Sequence, residues 1–284
     1  MKITSSEFLK LVANNMVTNH IKNSLKIEPI KKLRLKNEKN STKNILLAMP
    51  LSFTSSVTMN DISKFDLGKL TGDEDENKQA QFLKSFGDYC PNIVYLRLGK
   101  ACINTENDSH IEYFCETIKQ LKSLKSLNLS SLDLNDDSAC KIFMACEQRS
   151  ENCQIHYINL SDNELEYLDH MLPSNLLKLK SNLRVLNLSN NNFGLAGDPF
   201  TDTEESDVLY ETIEILNIIM LEFPMLTSLK MNNCNLGKHE GYAIAKILIK
   251  CTLTKLDLGN NTWDELVKEK LQAAWKGPIK GLIC

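Results

Sequence analysis

The stretch that decides the fold is Ile155-His156-Tyr157-Ile158-Asn159-Leu160-Ser161-Asp162-Asn163-Glu164-Leu165, whose pattern returns as Leu183-Arg184-Val185-Leu186-Asn187-Leu188-Ser189-Asn190-Asn191-Asn192-Phe193. Both follow Leu-x-x-Leu-x-Leu-x-x-Asn-x-Leu, with Ile or Phe standing in for Leu. Outward from these two, the same frame fits Ile93 to Ile103, Leu124 to Leu129, Leu226 to Leu236 and Leu253 to Trp263. It weakens toward the start of the chain, at Ile30-x-x-Leu33-x-Leu35 and Ile62-x-x-Phe65-x-Leu67. The central apolar residue falls at 33, 65, 96, 127, 158, 186, 229 and 256, at intervals of 32, 31, 31, 31, 28, 43 and 27. A fixed period of this length marks a stacked array, since one unit alone cannot bury its apolar face.

Within each unit the alternation of apolar and polar residues predicts a short strand with its leucines inward. The Asn or Cys that follows turns the chain and satisfies backbone groups. The intervening segments carry helix signals. Ser109-x-x-Glu112 reads as a capping box opening a helix over Ile111 to Leu121. Asp136-Asp137-Ser138 opens a second over Ala139 to Glu147, and Asp73 to Glu76 marks another helix start. Gly237 to Lys250, Val208 to Phe223 and Asp264 to Trp275 complete the set, the last with Leu266, Leu271 and Trp275 inward. The long 43-residue interval places its excess in 194–210, expected as a surface loop.

A helix per unit and periods near 28–31 resemble the ribonuclease-inhibitor-like class of leucine-rich repeats. The resemblance spans residues 28–263. It implies an α/β solenoid, a horseshoe of about eight repeats with a parallel concave sheet inside and helices outside. Residues 1–27, with Thr4-Ser5-Ser6-Glu7 as a further capping box, are expected to form an N-terminal helical cap, and 264–284 a capping helix with a short apolar tail.

Composition narrows function. The 284 residues carry a formal charge of −3 and 42% hydrophobic residues, and no apolar stretch approaches the ~20 residues of a membrane span. The start, Met1 to Lys10, lacks the apolar core of a secretory signal. Nine cysteines at irregular spacing offer no zinc pattern and read as packed thiols of a reducing compartment. Five histidines are scattered, and neither a glycine-rich phosphate loop nor a Gly-x-Ser-x-Gly appears. No catalytic centre, metal or cofactor is therefore expected. Similarity to the Ran GTPase-activating proteins stops at the shared repeat class.

The residues flanking each apolar pair should point out of the sheet. They contain twelve cations (Lys31, Lys32, Arg34, Lys36, Lys64, Lys69, Arg97, Lys100, Lys125, Arg184, Lys230 and Lys255) and three acids (Asp66, Asp162 and Asp257), a face of about +9 on a chain of −3. Such a face steers and holds an acidic protein surface. Tyr95 and Tyr157 fall in one column of the expected sheet, about 10 Å apart. With Arg97, Lys125, His156 and Arg184 around them they form the expected hot spot. Lys64, Lys230 and Lys255 extend the patch. Asn128, Asn159 and Asn187 are expected to ladder side chain to side chain across strands.

The composition and helical repeats also resemble the leucine-rich-repeat effectors that intracellular bacteria inject into host cells. That resemblance implies a monomeric cytoplasmic protein, exported without a cleaved signal, that binds a host protein. RNA, anionic lipid, or a small GTPase regulated by the chain are the alternatives for the same face.

Overall fold

The computed structural model describes residues 32–34, 64–66, 76–89, 91–148, 154–166, 179–194 and 205–284. The expected N-terminal cap over 1–27 lies outside them. The chain divides into two compact units, 1–132 with 148–153, and 133–147 with 154–284.

The first unit holds strands β1 (Lys32–Arg34), β2 (Lys64–Asp66), β3 (Tyr95–Arg97) and β4 (Ser126–Asn128), with helices α1 (Glu76–Tyr89) and α2 (Asp108–Gln120). The strands pair in parallel and in sequence order, Leu33 beside Phe65, Phe65 beside Leu96, and Leu96 beside Leu127. The second unit holds α3 (Asp136–Glu147), β5 (Tyr157–Asn159), β6 (Val185–Asn187), α4 (Glu205–Glu222), β7 (Ser228–Lys230), α5 (Lys238–Leu248), β8 (Lys255–Asp257) and α6 (Glu265–Ala274). Its last strand is β9 (Leu282–Ile283). Ile158, Leu186, Leu229 and Leu256 stand in register, and Leu256 pairs with Leu282. All eight central residues read from the sequence therefore occupy strand centres, and both units have the α/β leucine-rich-repeat architecture.

The tail expected after α6 is a ninth strand. Ile279-x-x-Leu282-x-Cys284 restates the frame, displaced by 26 residues from Leu256.

The leucines of the frame make the core. Leu124, Leu127 and Leu129, or Leu183, Leu186 and Leu188, are at most 1% exposed. Burying each contributes about 1.5–3 kcal/mol. Helices add one face each: α2 buries His110, Ile111, Phe114, Cys115, Thr117 and Ile118, the three-to-four spacing of an amphipathic helix. Helices next to one another in sequence, α1 with α2, α4 with α5 and α5 with α6, pack together.

Helix starts differ in detail from expectation. Asn107 caps α2, its side chain accepting the Ser109 amide at 3.1 Å, so Ser109 lies inside the first turn. Asn135 does the same for α3 through Ser138 at 2.9 Å. In α5 the Gly237 amide donates to Glu240 at 2.9 Å. In α6, Val267 and Leu271 are fully buried, whereas Leu266, expected inward, is half exposed. The helix α4 begins at Glu205, so the expected loop over 194–210 is helical from 205 onward; residues 195–204 lie outside the described set.

Behind β5, β6 and β8 an asparagine closes the turn. Asn191 donates to the carbonyls of Leu188 (2.8 Å) and Leu160 (3.0 Å) and accepts the Leu165 amide (3.2 Å). Asn163 and Asn261 repeat this pattern. Cys234 takes the place in the β7 repeat, its thiol donating to Leu188 at 3.3 Å. Burial pushes that thiol up to about 12 and keeps it protonated, which a sulfur donor requires. Cys234, Cys251 and Cys284 are free thiols.

Candidate interaction face of the sheet

Alternation along three-residue strands fixes which side chains leave the core. In the first unit, Lys64, Tyr95 and Arg97 are half-buried on their strands, and Lys125 is half-buried one residue ahead of β4. Register sets Lys64 beside Tyr95 and Tyr95 beside Ser126. The Lys64 Nζ lies 4.3 Å from the Tyr95 ring centroid, a cation–π contact that fixes the tyrosine over the preceding strand. The Arg97 Nε is buried without a hydrogen-bond partner among the described residues.

In the second unit, His156 and Arg184 are exposed at the strand starts, joined through the backbone by Arg184 N–H to the His156 carbonyl at 2.9 Å. Tyr157 is half-buried. Its column continues through Val185 and Ser228 to Lys255, and the next outward-facing column runs from Asn159 through Asn187 and Lys230 to Asp257. Lys230 and Lys255 are exposed. Tyr95 belongs to the first unit and Tyr157 to the second, each held by its own unit's sheet.

The state of these charges is what the sequence did not reveal. Lys64, Arg97, Lys125, Arg184, Lys230 and Lys255 make no ion pair among the described residues. Lysines on and beside the helices do pair: Lys119 with Glu116 (2.6 Å), Lys141 with Asp137 (2.7 Å), Lys268 with Glu265 (3.4 Å) and Lys238 with Asp264 (3.3 Å). Acids on the second unit's sheet face are occupied by neutral donors instead. Asp162 accepts from Asn190 at 2.7 Å and from Ser161 at 2.8 Å. Asp257 accepts from Asn232 at 3.4 Å and from the Gly259 amide at 3.3 Å. The side chains of Lys31, Lys32, Arg34, Lys36 and Lys69 lie outside the described residues.

The asparagine column is bonded locally. Asn128, Asn159 and Asn187 each turn back to accept the amide two residues on, from Ser130, Ser161 and Ser189, at 3.0, 3.0 and 3.1 Å. A strand ending in a turn leaves that amide without a ladder partner, and a local Asx bond satisfies it. Side-chain ladders form further along, among residues with positive φ: Asn190 (58°) donates to Asp162 (60°), and Asn233 (52°) donates to Asn190 at 3.0 Å. The signal was present in the sequence, because Asp and Asn are the residues that tolerate this left-handed turn.

Among the described residues no cluster of three or more His, Cys, Asp or Glu could hold a metal, and no helix is long and apolar enough to cross a membrane.

The family model for the Leucine Rich Repeat matches residues 182–202, the β6 repeat. No curated protein matches the sequence. Among solved structures, an internalin of Listeria monocytogenes is similar over 84% of this chain and 69% of its own, at 14% identity and a TM-score of 0.32. The actin-binding site 2 of leiomodin-1 is similar over 72% and 88%, at 15% identity and a TM-score of 0.35. The tropomodulin C-terminal domain of Caenorhabditis elegans is similar over 71% and 91%, at 12% identity and a TM-score of 0.33. None is alike enough to lend this chain a function.

Proposed function

We propose that this chain is a non-catalytic binding scaffold whose sheet face holds an acidic surface of another protein. The observation that carries the reading is a contrast of charge: among the described residues Lys64, Arg97, Lys125, Arg184, Lys230 and Lys255 of the sheet face stand without acidic partners, while Lys119, Lys141, Lys238 and Lys268 of the helices each have one. A free, clustered cation keeps its full attraction for an incoming carboxylate, whereas a paired one must first be released. The tyrosines add apolar contact area with a polar tip, which suits a protein interface. In the setting implied by the resemblance to injected effectors, the partner is a host protein.

The test uses a fluorescent acidic peptide of alternating Glu and Gly, followed by anisotropy with the full chain. Binding should weaken steeply between low and physiological salt. Arg97→Glu with Lys125→Glu, or Lys230→Glu with Lys255→Glu, should each lower affinity at least about tenfold. Unchanged affinity in both double variants, with folding intact by circular dichroism, overturns the reading.

A further inference from the structure

The sheet face of the second unit is divided along the strand direction. Lys230 ends β7, Lys255 begins β8, and Arg184 directly precedes β6. Beyond the strand ends lies an open trough of about 500 Å³, lined among others by Glu164, Glu166, Asn190, Asn192, Asn233 and Asn260, with no lysine or arginine on its wall. Side-chain ladders join its lining residues, Asn233 to Asn190 at 3.0 Å and Asn235 to Asn192 at 3.1 Å, and Asn190 donates onward to Asp162. Glu164 and Glu166 are exposed, and neither carboxylate is in an ion pair among the described residues.

Between the cations and the trough sit two orphaned atoms. Ser189 is 5% exposed, and its hydroxyl has no hydrogen-bond partner among the described residues. Asn232 Oδ1, at the matching position on the adjacent repeat, is likewise buried without one. Each directly precedes a trough residue, Asn190 or Asn233. An unmet buried polar group costs about 1–3 kcal/mol, a cost that a ligand lying over this stretch with both a donor and an acceptor would relieve.

We propose that this face takes an extended polypeptide segment of split charge, with its acidic part over Arg184, Lys230 and Lys255 and a basic residue in the asparagine trough beside Glu164 and Glu166. The inference rests on the reading above that the sheet face binds acidic protein, and adds the second half of the ligand. A peptide group supplies one N–H and one C=O, the pair that Ser189 and Asn232 lack. An ammonium or guanidinium carries donors only, which suits a wall of amide and carboxylate oxygens. A polyanion such as RNA would meet Glu164 and Glu166 unfavourably. Lys230 and Asn233 are three residues apart, about 10 Å at strand rise, so acidic and basic positions in the ligand stand roughly three residues apart.

The experiment compares three labelled peptides of equal length on the full chain: all-acidic (Glu/Gly), split (Glu/Gly then Lys/Gly) and all-basic (Lys/Gly), with an oligouridylate as a fourth probe. The split peptide should bind about tenfold tighter than the all-acidic one. Glu164→Gln with Glu166→Gln should abolish that advantage and leave the all-acidic affinity unchanged. Both carboxylates are exposed, so the variant is expected to fold. Equal affinity for split and all-acidic peptides overturns the inference while leaving the acidic-partner reading intact. Binding of neither overturns both, and tighter binding of the oligouridylate than of the split peptide replaces the polypeptide with a nucleic acid.

Discussion

At the scale of single residues, the buried asparagines that close the turns carry the sharpest expectations. Asn191→Ala leaves the Leu165 amide and the Leu160 and Leu188 carbonyls without their bonds, and should cost about 2–4 kcal/mol of unfolding free energy in denaturant titration. Asn191→Cys should cost clearly less, because Cys234 already serves in the β7 repeat as a thiol donor to Leu188. Equal losses would mean the thiol contributes no bond. His110 supplies a pH signature. Burial drives its pKa below the ordinary 6.5, against the upward pull of Glu76, and its Nδ1 accepts the Asn104 amide at 3.3 Å. The folded state therefore binds fewer protons than the unfolded one below 6.5. Stability should be full above that pH and fall as the pH drops toward the depressed folded value. Denaturation midpoints at about pH 8 and pH 5 should differ, and His110→Asn should narrow the difference.

At the scale of elements, strand centres were legible in the sequence because burial leaves little choice at those positions. Even the weak match at Phe65 fell beside Leu96 as spacing required. Helix boundaries were less so, because Asn107 and Asn135 cap just ahead of the residues whose pattern suggested a start. The inward face of α6 was misjudged because Leu266 and Val267 are adjacent apolar residues, and only packing decides between them. The decision comes from α5: Gly241 sits so close to the Val267 side chain that a β-carbon there would meet it, with the Trp263 ring behind. Helix propensity alone would favour Gly241→Ala by about 1 kcal/mol. Overpacking against a fully buried valine should reverse the sign and lower stability by about 1–3 kcal/mol, and Gly241→Ala with Val267→Ala should recover part of it. A rise in thermal midpoint for the single variant would contradict this packing.

For the whole molecule, the candidate face was half legible. Strand alternation turned Tyr95 and Arg97 away from the core in the first unit, and Lys230 and Lys255 in the second, since period two admits no other arrangement. Whether those charges were free could not be read, because pairing depends on where Glu116, Asp137 and Glu265 stand on the helices. The trough was hidden for a related reason, being assembled from turn residues 26 to 43 positions apart whose side chains meet only when repeats stack.

That stacking order bears on how the protein comes apart. Within each unit a strand pairs with those next to it along the chain, so loop-closure entropy is spent locally and disturbance passes from one repeat to its neighbour. In the second unit the two-residue β9, held by its pairing with β8, should open first. Amide hydrogens of Leu282 and Ile283 should exchange with solvent earliest, those of β8 next, and those of β6 last. A proline at Leu256, which removes a donor from the middle of β8, should hasten exchange in β8 and β9 and leave β6 protected. Uniform exchange across β6 to β9 in the wild-type chain would mean instead that the repeats melt as one body.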